Sequence, residues 1–568
     1  MYFSISDMDL VNLKEDFLKA EALISVIDPK ETPFESKYQA RKILRDLVTK
    51  VENNKAILGG VHCLLGIIDV DVEEFSQGET DLLQALNYIC DEENRDKIII
   101  HEIKTLNQLG ILWCLRDNFE KAKTYLDRSL ESYENFLQRE DKKCLYELSD
   151  LFDESKFPSF EEKENVLELL NTHTHYYLAQ VYEKMGDASK AAECCHITLT
   201  KQLELKEFQH LDWATNAAML SQHYLAKEDY STTKRHLIAS WVMLDRYENE
   251  LSSKESSQEL EDDRHAMLQK CRAEVSRAWG KYSLLLLQRS MDYDIEQFEL
   301  QDQLVDVKDE VKAKSIDFPS IETDPELDDI PEKFAKNFEE ARAIFLPGQR
   351  FLNKAKNEYF KFEEHCVDYV EIQRDLSHMH KLLVYFEKDE SRKFKIQKRR
   401  IDLLETPAKE LNPQLFTLLV RQLWYEIAET YSTMMDIKLD MVKNGEASMT
   451  PQLTNKINGL VSASINSFHK YLDTLGKNPT KYPEDNERPA LVAYVHLARL
   501  YDKYILPENS EQKFRNKMQS YLSYKHVVDY CKANPGSQSS VDQELPICEE
   551  MVLLLPRKLQ KMQQELNS

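Results

Sequence analysis

Chain breakers are scarce in this sequence. Its 568 residues include 12 glycines and 17 prolines, together about 5% of the chain, where an ordinary protein carries about 12%. That scarcity excludes the many short, turn-punctuated strands of a sandwich or barrel, and strict two-residue alternation is rare. Apolar residues recur instead with the 3.6-residue period of helices. No apolar run reaches the ~18–20 residues a helix needs to cross a bilayer. The 10 cysteines contain no Cys-x-x-Cys pair, and the adjacent Cys194 and Cys195 point in different directions on a helix. With no signal peptide at the N-terminus, this pattern predicts reduced thiols in a soluble, cytoplasmic protein.

Positive charge is also short. Seventy-four Lys and Arg stand against 100 Asp and Glu, a formal net charge of −26. Such a surface repels nucleic acid and anionic membrane and attracts basic protein surfaces. The one dense basic run, Lys393 to Arg400, reads as a solvated helix face or an intramolecular partner of acidic helices. Catalytic and metal patterns are missing too. Gly59-Gly60 lacks the Gly-Lys-Ser/Thr that completes a phosphate loop. His101-Glu102 begins like a zinc-protease motif, but position 105 is Thr. His173 and His175, like His378 and His380, are two apart and sit about 200° from each other on a helix. The expectation is a non-enzyme with no cofactor and no metal.

The strongest positive signal is Tyr176 to Ala192. Leu178, Ala179 and Tyr182 precede Gly186-Asp187 and then Ala191, the order and spacing of a tetratricopeptide repeat. Ala179 lets the partner helix approach, Leu178 and Tyr182 fill the space between helices, Gly186 permits the turn, and Ala191 marks the closest crossing. Further copies begin at Leu109-Gly110, with Trp113 and Asp117-Asn118-Phe119, and at Leu220-Ser221, with Tyr224 and Glu228-Asp229-Tyr230. A weaker copy begins at Leu65-Gly66, with a turn expected to be lengthened from Asp69 to Phe75. One helix pair cannot bury its own apolar face, so neighbours must stack on it. The prediction is all-α: an α-solenoid of irregular tetratricopeptide-like pairs in two halves. Residues 1–300 form an N-terminal subdomain with polar insertions at 139–163 and 250–264. Residues 301–332 form an acidic, proline-bearing mobile loop. Residues 333–404 form a long, continuously helical linker interrupted only at Pro347, and 405–568 a C-terminal helical subdomain.

Several segments resemble one family over essentially the whole chain. They are Tyr176 to Tyr182 with Ala191-Ala192, Trp213 to Gln222, Phe338 to Arg342, Lys398 to Leu404 and Leu411 to Gln414. Tyr431 to Lys438, Leu497 to Tyr501 and Met551 to Pro556 complete the set. In this order they are similar to the kinesin-binding protein (KIF-binding protein) family. The sequence departs from the family pattern in a short region before residue 55, a missing acidic, proline-rich insertion after the first helices, and a distinct 302–331 segment.

The resemblance implies a right-handed solenoid whose two subdomains are joined by a long helix. It also implies a concave face that grips the microtubule-binding side of kinesin motor domains and keeps them off microtubules. The protein would then be cytoskeleton-associated, monomeric when free, and would influence microtubule-based transport, axon outgrowth and neuronal development. An acidic concave scaffold would suit a basic motor surface. In a tetratricopeptide pair the residue after the small one points into the groove, which selects Gln180 and Gln222, with Tyr177 and Met219 one helical step earlier. The helix Val275 to Leu284 reads as a further first helix and adds Lys281 and Leu284. These six match the groove positions the family implies, although Tyr177, Met219 and Leu284 equally suit inter-repeat core. A rival reading is a co-chaperone-like adaptor that captures acidic C-terminal peptides. It would need a basic clamp, where this chain has Asn107, Ile111, Tyr177, Thr215 and Met219. A structural assembly subunit is the third reading.

Overall fold

The computed structural model describes residues 7–51, 54–90, 98–139, 145–152, 160–253, 258–301, 316, 318–322, 324–476, 479–506 and 511–567. Among these residues the regular elements are helices and no strand occurs. The chain divides into two units. The first comprises Met1–Glu228, Ala239–Glu250 and Ile316–Thr323, and the second Asp229–Ile238, Leu251–Ser315 and Asp324–Ser568.

The first unit contains α1 (Asp7–Ile24), α2 (Glu35–Lys50), α3 (Lys55–Asp71), α4 (Phe75–Cys90), α5 (Ile99–Leu115), α6 (Phe119–Leu137), α7 (Phe160–Lys184), α8 (Ala188–Leu205) and α9 (His210–Ala226). Helix α10 (Tyr230–Ser253) supplies residues to both units. Successive helices pack as pairs, α1 on α2 through α7 on α8, and the first helices also meet in succession, α3 on α5 and α5 on α7. That is how a repeat array buries faces no single pair can bury.

The turns show why the pairs form where they do. Each of four turns is three residues long, and its middle residue is left-handed: Glu73 (φ 64°), Asp117 (φ 54°), Gly186 (φ 80°) and Glu228 (φ 59°). That residue stands seven positions after the small residue in every copy, at Gly66, Gly110, Ala179 and Ser221. A left-handed residue closes a helix by letting the next amide reach back to a free carbonyl. Here Glu74 N–H donates to Asp69 O at 2.7 Å, Asn118 to Trp113 O at 2.9 Å and Asp187 to Tyr182 O at 2.9 Å. Asn118 and Asp187 then cap the following helix, accepting from Lys121 and Lys190 N–H at 3.1 Å.

The Gly66 copy is therefore in full register, and its turn is not lengthened. It looks weak because Asp69 occupies the position held elsewhere by Trp113, Tyr182 and Tyr224. Asp69 is buried, and Arg41 and Arg45 reach it at 2.8 and 3.4 Å. The small residues do what their spacing predicts: a Cβ at Gly66 would lie 2.5 Å from Leu82 Cγ, and one at Gly110 2.6 Å from Leu126 Cγ. In the Ala179 copy the residue sixteen positions on is the smaller Cys195 rather than Leu. Ala191 is only half-buried, as is Tyr182, whose ring has Lys190 at 5.3 Å and Lys123 at 5.8 Å. These two residues lie nearer the rim of the pair than their place in the motif suggests.

The second unit contains α11 (Gln258–Gln301), α12 (Pro325–Asp328), α13 (Phe338–Glu358), α14 (Cys366–Phe386), α15 (Glu390–Glu410), α16 (Thr417–Lys443), α17 (Pro451–Asp473), α18 (Glu484–Asp502), α19 (Glu511–Ala533) and α20 (Leu545–Asn567). Helix α11 packs on α13 and α14, and from α13 to α20 each helix packs on its successor. Trp279 and Phe351 stack at 5.3 Å where α11 meets α13, beside Gly280, whose missing Cβ makes room for Leu352.

Two features differ from expectation. The stretch 338–410 is three packed helices, not one continuous run. Helix α13 passes through Pro347 and ends at Glu358, and α14 ends at Phe386. There Glu387 turns extended and Asp389 caps α15 by accepting from Arg392 N–H at 2.7 Å. A break of three residues leaves apolar periodicity on both sides intact, which hides it from a periodicity reading. In the segment expected to be a mobile loop, 302–315 lies outside the described residues, but much of the rest is anchored. In the first unit Phe318 is buried edge-on against Trp213 at 5.0 Å. In the second, Leu327 and Ile330 are buried and Arg235 pairs with Asp328 at 3.0 Å. Four large apolar side chains, Phe318, Ile321, Leu327 and Ile330, outweigh the acidic composition.

Candidate partner-binding site

In the first unit the exposed stripe of α7 runs through His173, Tyr176, Gln180 and Glu183, and that of α9 through Asp212, Asn216 and Met219. Both follow helical spacing. Gln180 is exposed, and Met219 is 67% exposed, large for an apolar side chain. Tyr177 is half-buried, and burial raises its hydroxyl pKa, with Cys114 and Asp71 nearby pushing the same way. Its ring meets Tyr176 edge-on at 5.2 Å. Gln222 is half-buried, with its amide donating to Ser221 Oγ at 3.1 Å. The more accessible aromatic is Tyr176, which the motif-based choice missed. Its position four residues before Gln180 is the signal that would have found it. The exposed faces of α7 and α9 thus offer amides, one thioether and an aromatic edge, together with the carboxylates of Glu183 and Asp212.

The two second-unit candidates separate. On α11 the outward residues are Glu274, Arg277, Lys281 and Leu285. Lys281 is exposed, but Leu284 is only 9% exposed and belongs to the core, while Leu285 is 42% exposed. One residue turns a helix by about 100°, enough to exchange groove for core. Leu284 is therefore removed from the site.

Lys281 lies on the wall of a cavity of about 1070 Å³ built within the second unit. Its walls come chiefly from alternate helices, α11, α14, α16 and α18, the first-helix face of that unit. Seven Lys and Arg and five carboxylates line it. The net charge of −26 is thus not concentrated here, contrary to the acidic scaffold expected. Composition counts charges without placing them.

Several of the cations are held within the protein. Arg277 bridges Asp368 and Glu371 at 2.5 and 2.8 Å. Buried Arg400 donates to Gln397 at 2.8 Å, Glu426 at 3.0 Å and Ser377 at 3.2 Å. Arg421 holds Thr474 through its side chain and its carbonyl. Among the described residues Lys281, Arg374 and Lys381 make no ion pair within 4.0 Å. Burial pushes the carboxyls of Asp375 and Glu429 up, while Lys281 and Arg277, and Lys381 and Arg400, pull them down. The cavity therefore presents cations without a close ion-pair partner, Lys281, Arg374 and Lys381, beside carboxylates of both the half-buried and the exposed kind.

The described residues hold no cluster of three or more His, Cys, Asp or Glu able to bind a metal, and no disulfide. No helix among them is long and apolar enough to cross a membrane. His101, which opens the zinc-like motif, is buried and its pKa is pushed down to about 3, by burial first and Lys104 second.

A family model described as KIF-1 binding protein C terminal matches residues 211–562. A KIF-binding protein of Danio rerio is 35% identical, with 95% of each chain covered. This chain belongs to the KIF-binding protein family. A Homo sapiens KIF-binding protein is 31% identical with 94% of each chain covered, and one from Drosophila melanogaster 27% identical with 98% covered. Among solved structures, a cryo-EM structure of KIFBP is 27% identical, covers 98% of this chain and 99% of its own, and has a TM-score of 0.66. The family resemblance thus extends to three dimensions as well as to sequence.

Proposed function

We propose that this protein binds kinesin motor domains and keeps them off microtubules by covering their microtubule-binding surface. The end-to-end match to proteins named for kinesin binding carries this reading. The exposed α7 and α9 faces, with Tyr177, Gln180, Met219 and Gln222, are the first contact surface, and the cavity bearing Lys281 is the second. A motor offers basic residues to acidic tubulin, so the net charge of −26 attracts it at a distance while the amides, aromatic ring and thioether of the α7 and α9 faces select it at contact. The protein acts by occupancy rather than by chemistry. Through motor occupancy it influences microtubule-based transport and, with it, axon outgrowth and neuronal development.

The test is microtubule co-sedimentation of purified kinesin motor domains with and without the protein. A susceptible motor moves to the supernatant, with association slowing as salt rises because charges are screened beyond about 8 Å at physiological ionic strength. If every motor tested still pellets fully, the proposal fails.

A further inference from the structure

The basic run of α15 is divided by the fold. Lys393 pairs with Glu390 at 2.8 Å, and Arg400 is buried against Glu426. Arg392, Lys395 and Arg399 instead share one face, and with Ile396 they line a second cavity of about 280 Å³. Its opposite wall is the α13 face carrying Arg342, Phe345 and Leu346, and the end of α14 closes it with Leu383 and Glu387. These second helices alternate with those lining the larger cavity.

This groove has an apolar floor and a cationic rim. Phe345, Leu383 and Ile396 are buried, and Leu346 remains 46% exposed. Four cations face one carboxylate, in a chain whose overall balance is strongly negative. That carboxylate is already engaged. Glu387 Oε1 accepts the amides of Lys388 and Asp389 at 2.9 and 3.0 Å, shaping the turn into α15, and Oε2 stands 3.8 Å from Arg392. Arg342 is 3.7 Å from exposed Glu339, a pairing of little strength. Among the described residues Lys395 and Arg399 have no carboxylate within 4.0 Å. A merely solvated face requires no apolar channel between its cations, and an isolated phosphate gains nothing from Leu346 or Phe345.

We infer that this groove docks an acidic amphipathic peptide segment of a partner protein. One large apolar side chain would enter over Leu346, and Asp or Glu residues a helical turn apart would meet Arg392, Lys395 and Arg399. Helix-in-groove docking has this form, and the charge pattern sets its orientation. The surface is separate from the one proposed for kinesin.

The full-length chain is titrated against a fluorescein-labelled peptide bearing two Leu four residues apart among Glu, and against the same peptide with both Leu replaced by Ser. The expected result is saturable binding of the first peptide. It should weaken about tenfold or more in Lys395→Glu/Arg399→Glu and, separately, in Leu346→Ser, and about tenfold or more for the Leu-free peptide. Lys395 and Arg399 are exposed, so the reversal variant should keep the wild-type thermal midpoint and kinesin binding. Lys395→Gln/Arg399→Gln should give an intermediate affinity. No saturable binding by the wild type overturns the inference, as does equal binding by the reversal variant. Equal binding of the Leu-free peptide also overturns it, leaving only a non-specific anion site.

Discussion

Replacing Met219 and Gln180 together by Ala distinguishes a contact surface from a packing surface. Met219 is 67% exposed, so only about a third of the ~1.5–3 kcal/mol for full burial of such a side chain is at stake. Gln180 is exposed, and Ala is the better helix former. The double variant should lose less than about 1 kcal/mol of stability, a shift of no more than about 2–4 °C for a unit of this size. Truncating residues at the centre of an interface costs about 1–2 kcal/mol or more, so kinesin motor affinity should fall at least tenfold. Trp279→Ala makes the opposite comparison. Trp279 is 0% exposed and stacked on Phe351, so truncation should cost about 3–5 kcal/mol and lower the second unit's midpoint by about 4–7 °C. Calorimetry and motor titration on the same preparations read both quantities. Wild-type affinity in the double variant would show that the α7–α9 faces are not the contact. A midpoint falling as far as in Trp279→Ala would refute the exposure argument itself.

Acid should weaken both units. His101 is held at about 3 and His380 at about 4, in each case chiefly by burial. The unfolded chain takes up protons near the ordinary value of 6.5 while the folded chain does not, so this stability is full above about pH 6.5 and lost as pH falls. Each unit should lose about 1 kcal/mol from this source between pH 6.5 and 5.5. Denaturant midpoints across that range check it, and His101→Phe should reduce the first unit's response, leaving the part due to His173, His175 and His223, which burial also holds down. Gly186→Ala should destabilise by about 1–2 kcal/mol because φ is +80° with nothing near the new Cβ. Gly459→Ala, inside α17 and equally uncrowded, should stabilise by about 0.4–1 kcal/mol. Thermal melts of the two variants should therefore move in opposite directions.

Local chemistry written along the chain was enough to specify the helices, the pairs and most of the turns. The seven-residue step from small residue to left-handed turn is a short-range property, and Gly66 and Gly110 state how closely a partner helix comes. Gln180 and Lys281 each directly follow a small residue, Ala179 and Gly280, and that spacing alone was enough to expect both on an exposed face. The tertiary structure alone settled which of two adjacent residues faces a neighbour. It sent Leu284 to the core and left Leu285 outside, put Asp69 against Arg41 and Arg45 at an aromatic position, seated Phe318 on Trp213, and divided the basic run of α15 between Glu426 and an open groove. Helical periodicity records only that a face is apolar or charged. Which face meets which neighbour depends on helices far away in sequence, and a rotation of about 100° per residue turns that choice into the difference between core and surface.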